Sequence, residues 1–158
     1  MLYYDKVDTQ SFTIYIIFSE ITIHQVTFEK PSIPKGVLSN DITLQFIDYL
    51  SGKRKVFEIN YVLYGISAFT QKVLDAVNEI PYGQTRSYKC IAETIGNPKS
   101  SRAVGQALNK NPLPIIIPCH RVIASDGKIS GYAYGEKIKQ MLLKIEYSRD
   151  LSRGSKTL

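Results

Sequence analysis

Over the first 62 residues the apolar positions mostly alternate with polar ones. Ser11–Phe18 and Ile21–Phe28 are rich in Ile, Thr, Phe and Val and flank Ser19-Glu20, which predicts a β-hairpin. From Lys30 to Gly36, prolines at 31 and 34 break any regular pattern, and the segment reads as a loop. The spacing then becomes helical over Asp41–Leu50. Ile42, Leu44, Phe46, Ile47 and Leu50 recur there, with Ser39 or Asn40 as cap and Gly52 as stop. Alternation returns over Val56–Leu63, which places Phe57, Ile59, Tyr61 and Leu63 on one face of a predicted strand. Tyr64-Gly65-Ile66 follows as a linker.

From residue 67 the period is helical. Ser67 caps a predicted helix reaching Glu79, with Phe69, Val73, Leu74 and Val77 on one side and Pro81-Tyr82-Gly83 ending it. Two short helices are predicted next, Ser87–Ile95 and Lys99–Asn109, joined by Gly96-Asn97-Pro98. Pro114–Ile117 reads as a short extended apolar piece, Ser125–Lys128 as a turn and Gly131–Gly135 as a loop. A last helix over Glu136–Tyr147 carries Ile138, Met141, Leu142 and Ile145, and Ser152–Leu158 is expected to fray. The predicted fold class is α+β: a small N-terminal unit of β-sheet plus helix (1–62) packed on a mainly helical C-terminal domain (67–148), then a tail (149–158).

Composition permits this picture. With 44% hydrophobic and 22% charged residues in 158, a normal core can form and wholesale disorder is not expected. No apolar run approaches the roughly 18–20 residues needed to span a bilayer. Met1–Lys6 lacks the marks of a signal peptide, so an intracellular location is expected, with cytoplasm or nucleus undecided. The distribution of charge adds more. Of a net +6, a net +5 falls between Gln84 and Lys128, which hold seven Lys or Arg against Glu93 and Asp126. That stretch contains the short helix pair, whose spacing suits a helix-turn-helix. Its second helix carries Lys99 and Arg102 among the small residues Ser100, Ser101, Ala103, Gly105 and Ala107, which would let it approach DNA closely. An ordinary helical hairpin with a solvated basic face fits the same pattern.

Candidate chemistry centres on Cys119. A cysteine attacks as thiolate, and a neighbouring base or cation lowers its pKa from about 8.5. Here His120 and Arg121 follow it directly, while Pro114 and Pro118 restrict the backbone on the approach. A buried structural cysteine beside a surface His-Arg pair fits the same residues. Cys90, within a short helix, reads as an apolar filler, and His24 as structural. The two cysteines and two histidines offer no zinc-type spacing, so no metal is expected.

Ile117-Pro118-Cys119-His120-Arg121-Val122 resembles the active-site signature of the O6-alkylguanine-DNA alkyltransferases, also called methylated-DNA–protein-cysteine methyltransferases. The resemblance extends in order over about residues 67–147. It includes Ile80-Pro81-Tyr82-Gly83-Gln84-Thr85, Ser87-Tyr88 with Ile91-Ala92, and Gly96-Asn97-Pro98-Lys99 with Arg102-Ala103-Val104-Gly105. Asn111-Pro112, Leu142-Leu143 and Glu146 complete it. It implies one irreversible transfer of an alkyl group from O6 of guanine to Cys119, with no cofactor and with O4-alkylthymine left open as a second substrate. His120 would be the base, acting through a water; Glu146 would orient His120; Asn111 would anchor the turn; Tyr88 would help rotate the nucleotide and protonate the departing guanine. Arg102 would fill the space left by the flipped base, with Lys99, Ser100, Ala103, Gly105, Tyr88 and Arg121 also at the DNA. Tyr132 would wall the guanine pocket beside Ala133 and Tyr134, where many members carry Ser-Gly. The implied partner is double-stranded DNA, approached from the minor groove by a monomer, with cooperativity left open. Three rivals are weighed against it: a lesion-sensing relative without repair, a cysteine hydrolase using Cys119 and His120, and a helix-turn-helix regulator.

Overall fold

A computed structural model of the chain describes residues 1–152. The chain divides into two compact units, Met1–Tyr64 and Gly65–Leu158.

The first unit is built on a four-stranded sheet. Strands β1 (Tyr3–Asp8), β2 (Thr13–Ser19) and β3 (Thr22–Thr27) form an antiparallel meander, and β4 (Asn60–Tyr61) adds in parallel to β3. The predicted β2–β3 hairpin forms, with its loop one residue later than expected. Ser19 pairs with Thr22, so its loop is Glu20-Ile21, and Glu20 takes the positive φ of 53° that a two-residue hairpin loop requires. A register shift at Ile17/Phe18 turns both side chains inward, which is why the strand buries Ile14, Ile16, Ile17 and Phe18 rather than every second residue.

Helix α1 (Asn40–Leu50) buries Ile42, Gln45, Phe46 and Tyr49. Leu44 and Ile47, expected on its inner face, are exposed. Gly52, in the left-handed region at φ 76°, ends the helix. The expected strand over Val56–Leu63 shrinks to two residues for a visible reason. The Gln45 side chain occupies the Glu58 backbone, accepting from its N–H at 2.8 Å and donating to its carbonyl at 3.1 Å.

In the second unit, helix α2 (Ala68–Asn78) starts at Ser67, whose hydroxyl accepts from the Thr70 N–H, and buries Thr70, Val73, Leu74 and Val77. A tight turn through Gly83 leads to β5 (Arg86–Ser87), which pairs in parallel with β6 (Val122–Ile123). Ser87 then caps α3 (Tyr88–Thr94), accepting from the Cys90 N–H at 3.0 Å. Gly96, at φ 79°, turns the chain into α4 (Ser101–Asn109), and helices α2, α3 and α4 pack on one another.

Pro114–Ile117 is not an extended piece. Ile117 N–H bonds back to Leu113 carbonyl at 2.8 Å, closing a turn that puts Ile115 at φ 76°. A short 3-10 turn, Cys119–Arg121, follows and packs on α2 and on α5 (Glu136–Ser152). The buried stripe of α5 is Lys139, Leu142 and Glu146, whereas Ile138, Met141 and Ile145 are only half-buried. Helix α5 extends past the expected Tyr147, and of the tail expected to fray, residues 153–158 lie outside the described residues. Among the described residues no helix is long and apolar enough to cross a membrane.

Candidate active site

The site is assembled by one side chain that copies backbone hydrogen bonding. Asn111, just past α4 and buried, donates from Nδ2 to the Ile117 carbonyl at 2.9 Å and accepts at Oδ1 from the Leu113 N–H at 2.9 Å. It thereby staples the turn that delivers Pro118-Cys119. Cys119 heads the 3-10 turn and is 6% exposed. Burial pushes its thiol above the ordinary cysteine range; hydrogen bonds from Asn111 and Tyr132 and the charge of Lys139 pull it only partway back.

Two tyrosines stand near the thiol, Tyr132 hydrogen-bonded to it and Tyr88 close enough to feel its charge. Tyr88, at the start of α3, donates to the Ser130 carbonyl at 3.3 Å, and burial together with the nearby Cys119 raises its pKa. A Cβ placed on Gly105 would sit 3.7 Å from the Tyr88 ring, so α4 approaches that ring closely. Tyr132 stands edge-on to Tyr134, ring centroids 5.8 Å apart, while Ala133 between them is exposed.

Beneath both rings lies Lys139, 1% exposed, which the sequence reading missed. Its ammonium donates to the carbonyls of Val122 (2.6 Å) and Ser130 (3.1 Å) and to the Tyr88 hydroxyl (3.5 Å). It stands 5.7 Å from the Tyr88 ring and 5.9 Å from that of Tyr132. Burial lowers its pKa, against the charges of Cys119 and Glu136. The available signal was its place: three residues before Leu142 and seven before Glu146, on the buried side of the helix.

The second cluster gathers on Glu146. Its Oε2 meets His120 Nε2 at 2.6 Å, and its Oε1 accepts from Gly83 N–H at 3.2 Å. Arg121 donates from Nε to Oε1 at 2.8 Å and from Nη2 to Oε2 at 3.2 Å, while its Nη1 reaches the Ile80 carbonyl at 2.7 Å. Burial opposes ionisation of Glu146, but the charges and hydrogen bonds of His120 and Arg121 prevail and hold its carboxyl far below the ordinary range.

Two residues expected at DNA are buried, with their side chains already hydrogen-bonded within the protein. Arg121 is 7% exposed and commits its guanidinium to Glu146 and Ile80. Ser100 is buried, with its hydroxyl donated to the Asn97 carbonyl at 2.6 Å to close the turn before α4. Lys99 and Arg102 are exposed, and Ala103 and Gly105 are half-buried. Among the described residues no cluster of three or more His, Cys, Asp or Glu could hold a metal ion. A cavity of about 340 Å³ opens behind Glu146, lined by Gly83, Ile123, Ile129, Leu143 and Tyr147, and Cys119 is not in its wall.

Among the described residues, five α-helices, a four-stranded sheet and a two-stranded one accompany a buried cysteine next in sequence to the His120–Glu146 pair, and similar proteins show which class this is. Residues 68–148 match the family model described as 6-O-methylguanine DNA methyltransferase, DNA binding domain. The methylated-DNA–protein-cysteine methyltransferase of Methanosarcina barkeri is 42% identical over 154 residues, covering 92% of this chain and 97% of that protein. Its counterpart from Methanosarcina acetivorans is 46% identical over 125 residues, 76% of this chain and 80% of that one. The crystal structure of Mycobacterium tuberculosis O6-methylguanine methyltransferase superposes with a TM-score of 0.86 at 34% identity, covering 98% of this chain and 99% of that one. A structure of Mycobacterium tuberculosis OGT in complex with DNA gives the same TM-score and identity over 93% of this chain and 94% of that one. The chain belongs to the 6-O-methylguanine DNA methyltransferase family.

Proposed function

We propose that this protein repairs alkylated DNA by direct reversal, taking the alkyl group of O6-alkylguanine in a duplex onto the sulfur of Cys119. The observation that carries the reading is the thiol itself, buried in a site where Asn111, Tyr132 and Lys139 stabilise negative charge on sulfur and a His120–Glu146 pair stands at the next residue. Because burial favours the neutral thiol, the reaction needs a base. His120 takes the proton through a bridging water at Nδ1, its Nε2 being held by Glu146. Sulfur attacks the alkyl carbon in line, and the carbon–O6 bond breaks. Tyr88 supplies the proton that lets guanine depart neutral. The products are a thioether and unmodified guanine. No group in the site can cleave the thioether, so each molecule acts once, and the balance calls for no cofactor.

Helices α3 and α4 act as a helix-turn-helix. Lys99, just ahead of α4, and Arg102, on its exposed side, meet phosphates and the vacated stack, and Ala103 and Gly105 permit close approach in the narrower minor groove. Tyr132, with Ala133 and Tyr134, walls the pocket for the extruded base.

The experiment is intact-protein mass after mixing with a duplex carrying one O6-methylguanine. The expected result is a single gain of about 14 Da, saturating at one per molecule and absent in Cys119→Ala. Unchanged mass with intact DNA binding would point instead to a lesion-sensing protein without repair.

A further inference from the structure

We infer that Arg121 is a positioning residue of the transfer reaction: its guanidinium fixes the plane of the Glu146 carboxylate that faces His120 and ties it to the Ile80–Gly83 turn. The inference rests on the direct-reversal reading above and adds a residue to it.

A carboxylate offers about four acceptor positions. In Glu146 all are addressed, with Arg121 Nε and Gly83 N–H on Oε1 and His120 Nε2 and Arg121 Nη2 on Oε2. Bonded to His120 alone, the carboxylate would still turn about its own Cγ–Cδ bond. A guanidinium engaging both oxygens removes that freedom, because its donors lie in one plane at fixed separation. The third nitrogen anchors the fork: Nη1 bonds the Ile80 carbonyl just beyond the C-terminus of α2, and the guanidinium carbon lies 5.7 Å from the centre of the Tyr82 ring. Three elements therefore meet on one side chain: the turn after α2, the 3-10 turn that carries Cys119, and α5. A lysine would supply the charge without the plane.

The competing account is that this buried pair only holds the fold together. The two accounts separate in single-turnover kinetics of the full-length protein with an O6-methylguanine duplex. Arg121→Lys and Arg121→Met are compared with wild type for the rate constant at saturating DNA, the DNA concentration at half-saturation, the fraction of active molecules and the melting temperature. The expected result is a rate constant per active molecule at least about tenfold lower in Arg121→Lys, with half-saturation within about twofold of wild type. A wild-type rate constant per active molecule, whatever the melting temperature, overturns the inference in favour of a purely structural pair. Raised half-saturation at an unchanged rate constant also overturns it, in favour of a DNA contact. Should Arg121→Met fail to fold, Arg121→Lys, which keeps the charge and the aliphatic stem, carries the test. Absence of transfer in wild type would remove the underlying reading, whereas wild-type transfer with an unimpaired Arg121→Lys removes only this role.

Discussion

A thiol held neutral by burial and a carboxylate held ionised despite burial stand 27 residues apart in sequence, and the 3-10 turn brings His120 between their tasks. The carboxylate has a measurable signature. Its folded pKa lies below the ordinary 4.5, so its stabilisation is fully present above that value and is lost as pH falls below it. Glu146→Gln should abolish this acid-side loss. It should also cost about 3–5 kcal/mol near pH 7, because Arg121 is left as an unpaired buried charge. Urea unfolding at pH 7 and again near pH 3 checks both, and equal pH slopes in mutant and wild type would contradict the assignment. Adjacency and the flanking prolines singled out Cys119 and His120 as candidates, but only the family resemblance, not the spacing, gave them roles. The burial of Lys139 and of Arg121 was not legible in the sequence: a charged side chain in a helical or loop pattern reads as solvated until the carbonyls and carboxylate that receive it are in view.

Among elements, the helices were read nearly to their ends, since Ser67 and Ser87 announce their starts and glycines at 52 and 96 their stops. Strands fared less well. β1 was missed because Asp5 and Lys6 interrupt its apolar positions, leaving only Tyr4 and Val7 buried. β4 was overextended because alternation shows which side chains share a face, not whether the backbone finds a ladder, and here Gln45 takes that place at Glu58. The Ser87 cap is a discrete contribution: Ser87→Ala should destabilise the protein by about 1 kcal/mol, read as a shift in urea midpoint. The exposed side of α4 makes a separate prediction. Arg102→Ala should slow transfer from duplex DNA by far more than transfer from the free base O6-methylguanine, because only the duplex requires a flipped nucleotide to be replaced. Equal losses on both substrates, followed by intact mass, would rule out the wedge.

For the molecule as a whole, a single-use protein must accommodate its own product. Cys119 lies in a packed site between Asn111 and Tyr132, and an added methyl there has to displace neighbours. Overpacking of this kind costs about 1–3 kcal/mol, so the methylated protein should melt below the unmodified one. Calorimetry before and after reaction with the damaged duplex tests it, and coincident melting curves would refute it.

The turn ahead of Cys119 also bears on how this chain tolerates mutation. Ile115 is β-branched, lies in the left-handed region and is almost wholly buried. Its backbone would favour glycine while its surroundings favour a large apolar side chain. A randomised library at 115, selected for folded protein, should therefore return bulky aliphatics. The same library at Gly131, equally left-handed but exposed, should return glycine and asparagine. One backbone conformation would leave opposite footprints in the variants that survive, decided by what surrounds it.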